Sequence, residues 1–80
     1  MPQNLAIVGV LVDDREDKSP LVQEVLAHYG RQILMRAGVP SPDRKKGLIA
    51  LALDTDGKDV GDMAKRLEEI GGVTVRTLNF

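Results

Sequence analysis

The 80 residues contain no cysteine, no tryptophan, and only one histidine, one tyrosine and one phenylalanine. Each absence removes a class of function. Without cysteine there is neither a disulfide framework nor a thiolate metal site to support a chain this small, which buries only about 60–65% of its unfolded surface. A transition-metal centre needs three or four N, S or O ligands, and one histidine leaves only carboxylates to complete the set. No tight zinc or nickel site is expected within one chain, and no cofactor. Nucleophilic catalysis requires an activated Cys, Ser or Thr beside a base. The lone His28, next to Tyr29 near a helix end, reads as solvated. With so few rings, a base-stacking sheet of the RNA-recognition kind is not expected. A metallochaperone Cys-x-x-Cys, an acylphosphatase-like glycine loop and a phosphate-cradling glycine motif are all missing. Charge of one sign is lacking too. Eleven basic residues against twelve acidic ones give no global field for nucleic acid or an anionic membrane. No apolar run approaches the roughly 20 residues that cross a bilayer, and Met1-Pro2-Gln3-Asn4 lacks the basic start of a signal peptide. The cytoplasm is the expected compartment.

What the chain does contain is ordered apolar patterning, 42% hydrophobic against 29% charged, as expected of one globular domain over residues 1–80. From about Asn4 to Val12, Leu5, Ile7, Gly9 and Leu11 alternate with Ala6, Val8, Val10 and Val12. This short, β-branched run predicts a strand with both faces covered. The charged run from Asp13 to Lys18 reads as a turn. Ser19-Pro20 reads as a helix start, a hydroxyl cap followed by proline, with a start two or three residues earlier also open. Leu21, Val22, Val25, Leu26 and Tyr29 form its apolar stripe, and Gly30 is placed for a left-handed cap. Gln32 to Ala37 predicts a second strand with Ile33 and Met35 opposite Leu34. Gly38 to Asp43, carrying two prolines, predicts a loop. Leu48 to Leu53, opened by Lys46 or Gly47, predicts a third strand. The second helix is capped by Asp56, marked by Val60, Met63, Ala64, Leu67 and Ile70, and stopped by Gly71-Gly72, with Gly57 and Gly61 weakening its start. Val73 to Leu78 alternates as a last strand.

The order β-α-β-β-α-β predicts an α+β, ferredoxin-like sandwich in which a four-stranded antiparallel sheet carries two helices on one face. Two helices cover only one face, yet the first and third strands are apolar on both. Either Ala6, Val8, Val10 and Val12 or the Leu5 set must be left uncovered. The first set, with Leu48, Ala50 and Ala52, is taken as the surface of a homodimer or higher homo-oligomer. An aspartate at Val8 or Val10 is then expected to break the assembly.

Two charged clusters remain. Asp13, Asp14 and Asp17 are interleaved with Arg15 and Lys18 and lack EF-hand spacing, so they read as a solvated turn. Arg44-Lys45-Lys46 reads as a solvated hairpin tip.

Asp13-Asp14-Arg15-Glu16, Tyr29-Gly30, Ile33, Arg36-x-Gly38-x-Pro40, the Gly47 strand and Gly71-Gly72-Val73-Thr74-Val75 resemble the small bacterial proteins known as iron-only hydrogenase system regulators, over roughly residues 5–78. The resemblance implies an ACT-like fold and a regulatory role. The chain is more distantly similar to the metal-sensing C-terminal domain of nickel-responsive repressors. The nickel-ligand positions of that domain fall on Ala27, Gly38, Pro40 and Lys46, none of which is a histidine or cysteine, so nickel sensing is not carried over. The DNA-binding part of those repressors has no counterpart, so no direct nucleic-acid contact is expected. Amino-acid-binding ACT domains place a glycine in the first turn, where this chain has only charge.

The expectation is therefore a non-catalytic ACT-like oligomer that senses a small molecule or scaffolds a regulated system. A ligand is sought beside Asp14 and Arg15 and along Arg36, Gly38 and Pro40. The rival reading is a protein-binding module with no small-molecule ligand.

Overall fold

The computed structural model describes residues 5–43, 45–54 and 58–80. Four strands and two helices follow one another as β1 (Leu5–Val12), α1 (Arg15–Ala27), β2 (Ile33–Pro40), β3 (Gly47–Asp54), α2 (Lys58–Glu68) and β4 (Val73–Asn79). The sheet is antiparallel throughout in the order β2-β3-β1-β4, as the βαββαβ pattern predicts. Both helices lie on one face. Val22, Leu26 and Tyr29 from α1 and the turn after it, with Val60, Met63 and Leu67 from α2, share one core with alternate residues of β1, β3 and β4. The predicted helix cap Asp56, Gly57, Arg44 and the first four residues lie outside the described residues.

The buried face of β1 is Ala6, Val8, Val10 and Val12, each at most 2% exposed. This corrects the expected assembly surface. Those four residues are the core under the helices, whereas Leu48, Ala50 and Ala52 lie on the opposite face, across from Leu11, Gly9 and Ile7. An aspartate at Val8 or Val10 would thus bury a charge in the core and unfold the chain.

Helix α1 begins four residues before Ser19. Asp14 takes a left-handed conformation (φ 51°, ψ 56°) that turns the chain sharply out of β1. The Arg15 N–H donates to the Lys45 carbonyl at 2.9 Å, and the Asp17 and Lys18 N–H groups donate to the Asp14 carbonyl at 3.1 Å. The supposed charged turn is the first turn of the helix, where Glu16 and Asp17 meet the positive end of its dipole. Pro20 falls inside the helix, and Leu21 points outward, 47% exposed. Gly30 does not adopt the expected left-handed cap. Successive i→i−3 bonds, His28 to Val25, Tyr29 to Leu26 and Gly30 to Ala27, tighten the end instead, so no positive φ is needed.

Strand β2 runs on through Pro40, three residues past its expected end. It is an edge strand, and Pro40 is its last residue, opposite Gly47, so the missing N–H costs no central ladder bond. A bulge between Ile33 and Met35 shifts the register. Ile33 stays on the core side opposite Leu53. Met35 moves to the other face opposite Ala52, so the two do not share a side as the alternation suggested. After α2, Gly71 (φ 85°) and Gly72 (φ 71°) turn the chain into β4, as expected, and the Gly72 carbonyl accepts from the Asp13 N–H at 2.8 Å. No helix among the described residues is long and apolar enough to cross a membrane.

Candidate functional site

Among the described residues nothing covers the sheet face opposite the helices, and its register defines a grid. Met35, Ala52, Ile7 and Leu78 form one row across the four strands, and Val39, Leu48, Leu11 and Thr74 another. Between them runs a row of small residues, Ala37, Ala50 and Gly9, ended by Arg76. Arg76 is the one charge in these three rows, Asp54 lying beyond them opposite Leu5, and its Nη1 donates to the Val75 carbonyl at 3.0 Å. The large apolar residues of this face, Leu5, Ile7, Leu11, Met35, Val39, Leu48 and Leu78, are between 36% and 64% exposed. The surface is therefore two apolar ridges beside a shallow trough.

On the helix side of the sheet, β2 is left uncovered at its far end. Gly38 pairs with Ile49, and Pro40 with Gly47, on that same side. Where a core strand would project large side chains there, two glycines project none. The result is a groove of about 170 Å³ between α1 and the β2–β3 hairpin. Arg15, Ser19 and Gln23, spaced i, i+4 and i+8, form its polar wall on α1. Val12, Pro40 and Ile49 complete it, with Val39 and Leu48, whose side chains belong to the open face, contributing only their backbone. A Cβ at Gly47 would stand 3.6 and 3.7 Å from Cβ and Cδ of Arg15, in ordinary contact. The Arg15 stem thus lies against the β3 backbone. Arg36, on the same side of β2, donates from Nη2 to Gln23 Oε1.

The structure brings Arg15, Gly38 and Pro40 together, and holds Arg36 at the groove through Gln23. It does not bring Asp14 there. Asp14 lines a separate surface hollow with Glu16, Asp43, Lys45 and Lys46. Ser19, Gln23 and Gly47 were missed in the sequence. For Ser19 and Gln23 the signal was the i+4 spacing from Arg15, hidden because the helix start was placed at Ser19, or two or three residues before it, which left Arg15 outside.

The hairpin tip that ends the groove is ordered by its own side chains. Asp43 Oδ1 accepts from the Ser41 hydroxyl and from the Lys45 N–H at 3.0 Å, and Ser41 Oγ accepts from the Lys46 N–H at 3.1 Å. The Ser41 hydroxyl, then the Lys45 amide and the nearby Lys46 charge, hold the Asp43 carboxyl below its ordinary pKa. Lys46 also reaches Asp13 at 3.7 Å across exposed surface, a contact worth little by itself. His28 is exposed at the end of α1. Among the described residues no group of three His, Cys, Asp or Glu side chains is placed to hold a metal.

A βαββαβ sheet in this order, with both helices on one face, is the ACT-like form of the ferredoxin-like fold. The regulatory subunit of aspartate kinase from Thermus flavus shares it, at 24% identity and TM-score 0.61 over 94% of this chain and 52% of that one. So does SnoaB, a cofactor-independent oxygenase from Streptomyces nogalater, at 13% identity and TM-score 0.62 over 99% and 92% of the two chains. At those identities the likeness is one of fold alone. A closer likeness is to the uncharacterized protein TM1266 from Thermotoga maritima, with 32% identity and a TM-score of 0.90 over 99% of both chains. The family model described as "TM1266-like: Iron-only hydrogenase system regulator, putative" matches residues 4–77, and the chain belongs to that family. No curated protein matches the chain.

Proposed function

We propose that this chain is a non-catalytic regulatory subunit that works as an assembly of identical copies packed through the open sheet face, and that senses a small molecule in the Arg15 groove. The family's description supports a regulatory role toward an iron-only hydrogenase system. The fold alone is neutral on catalysis, since an oxygenase also uses it.

The observation that carries the reading is the bare face. Its seven large apolar residues, 36–64% exposed, leave on the order of 600 Å² open if a whole residue of this size carries about 200 Å². That is at the upper end for the largest apolar patch of a soluble monomer. Two such faces in contact reach roughly 1,200 Å², where stable interfaces begin. A second copy is also the occupant that fits the relief. The same ridge-and-trough grid on both partners lets a ridge of one enter the trough of the other, and a single rotation makes the contact self-complementary.

Sedimentation at about 10 µM tests this, a concentration at which a specific dimer should be populated. The wild type should run as a dimer or larger. Ile7→Asp, which places a carboxylate among Ala52 and Leu78, should run as a monomer with an unchanged far-UV spectrum. A monomeric wild type would refute the assembly. The rival reading, a docking module for a different protein, is favoured by one observation, the exposure of every residue of edge strand β2 after Ile33. It gains if Ile7→Asp changes nothing and substitutions along β2 abolish partner capture.

A further inference from the structure

The groove between α1 and the β2–β3 hairpin selects its occupant by its composition. None of the residues lining it is acidic. Among the described residues neither Arg15 nor Arg36 has a carboxylate partner, the ion pair present being Lys46 with Asp13. The polar wall is made of donors. Arg15 offers only N–H groups, and Ser19 offers its hydroxyl. Gln23 has its oxygen occupied by Arg36, so it has its NH₂ left to give. A wall rich in donors and centred on a guanidinium favours the oxygens of an anion. The remaining walls are aliphatic, and 170 Å³ is a little more than the roughly 150 Å³ of an apolar cavity known to admit benzene.

We propose that the groove binds a small organic acid, with its carboxylate on Arg15, Ser19 and Gln23 and its apolar body, no larger than about a benzene ring, over Gly38 and Gly47 against Val12, Pro40 and Ile49. The glycines are the part of the design that a merely solvated groove would not need. They clear the floor for the body of the ligand, with the Arg15 stem lying beside Gly47. A free amino acid fits less well, because its ammonium meets no carboxylate on any lining residue. Inorganic phosphate has the charge but nothing to place against the aliphatic walls. This inference rests on reading the chain as a sensor, and it names the chemistry of what is sensed.

The test is a titration of the full chain, read by amide chemical shifts and by melting temperature. The probes are benzoate and 3-methylbutanoate, set against benzamide, phenylalanine and inorganic phosphate. The two acids should shift the amides of Ser19, Gln23, Gly38 and Gly47 and raise the melting temperature. Benzamide, phenylalanine and phosphate should bind roughly tenfold or more weakly. Arg15→Gln should weaken benzoate by roughly tenfold, the loss expected of one charge-assisted contact. Gly38→Val should block benzoate without touching any charge. Its Cβ meets only the Leu48 carbonyl at 3.8 Å and Ile49 Cγ1 at 3.9 Å, so a dispersed, folded amide spectrum is expected for the variant. Equal binding of benzoate and benzamide, or binding indifferent to both substitutions, would overturn the proposal. If phenylalanine or phosphate moves the same amides more strongly than the acids, the ligand class falls and sensing stands. If every probe is silent up to about 10 mM in protein that still sediments as an assembly, the sensing reading falls with it and the assembly stands.

Discussion

Among the described residues Asp14 holds the least comfortable backbone, a left-handed conformation without a side-chain cap, at the corner where β1 becomes α1. An L-residue there costs roughly 1–2 kcal/mol, somewhat less for aspartate, while glycine costs nothing in the fold but about 0.5–1 kcal/mol in the freedom it loses. Asp14→Gly should therefore stabilise the chain by up to about 1 kcal/mol, and Asp14→Val should destabilise it. Thermal denaturation of the two variants reads the sign. A lower melting temperature for the glycine variant would show that the Asp14 side chain contributes something the geometry does not reveal. The sequence around this residue was misread for a physical reason. What fixes the corner is the Lys45 carbonyl, which takes the Arg15 N–H from the far side of the β2–β3 hairpin. Local pattern carries no trace of a partner thirty residues away, so a run of charge looked like a loop. Once the helix is seen to start at Arg15, the groove wall of Arg15, Ser19 and Gln23 follows from spacing alone.

At the scale of elements, helix α2 shows how one residue type acts in opposite ways. Gly61 lies inside the helix and Gly71 just beyond it, and a Cβ built at either meets nothing within 4 Å. Packing is thus removed from the comparison. Gly61→Ala should stabilise by about 0.5–1 kcal/mol, through helix propensity. Gly71→Ala should destabilise by about 1–2 kcal/mol, through its φ of 85°. Chemical denaturation with unchanged slopes would check both, and two changes of the same sign would refute the account. The periodic elements were legible in the sequence because their apolar residues repeat at 3.6 or 2. α2, β1, β3 and β4 came out at nearly their observed bounds. β2 did not. Its proline argued against a ladder, and only its place at the sheet edge, a property of topology, makes that proline harmless. The bulge at Leu34 is likewise invisible in composition, and it reversed the side on which Met35 lies.

For the whole molecule, the question of which side of β1 is the inside could not be decided from the strand itself, since both alternations are apolar. The structure places the smaller set, Ala6, Val8, Val10 and Val12, under the helices, and leaves the Leu5, Ile7 and Leu11 set bare. If copies associate through that bare face, folding and association are linked. The wild-type melting temperature should then rise with protein concentration, while that of Ile7→Asp should not. A wild-type melting temperature independent of concentration over about two decades would count against linkage.

Strand β2 faces two ways, with Arg36, Gly38 and Pro40 turned to the groove and Met35, Ala37 and Val39 to the open face. A β-strand is read in a frame of two. Inserting a single residue between 35 and 40 would be no minor lengthening. It would exchange the arginine groove and the apolar surface wholesale along the rest of the strand, whereas inserting two residues would restore both. The bulge at one end and the hydrogen-bonded Ser41–Asp43 tip at the other act as frame markers for the segment between them.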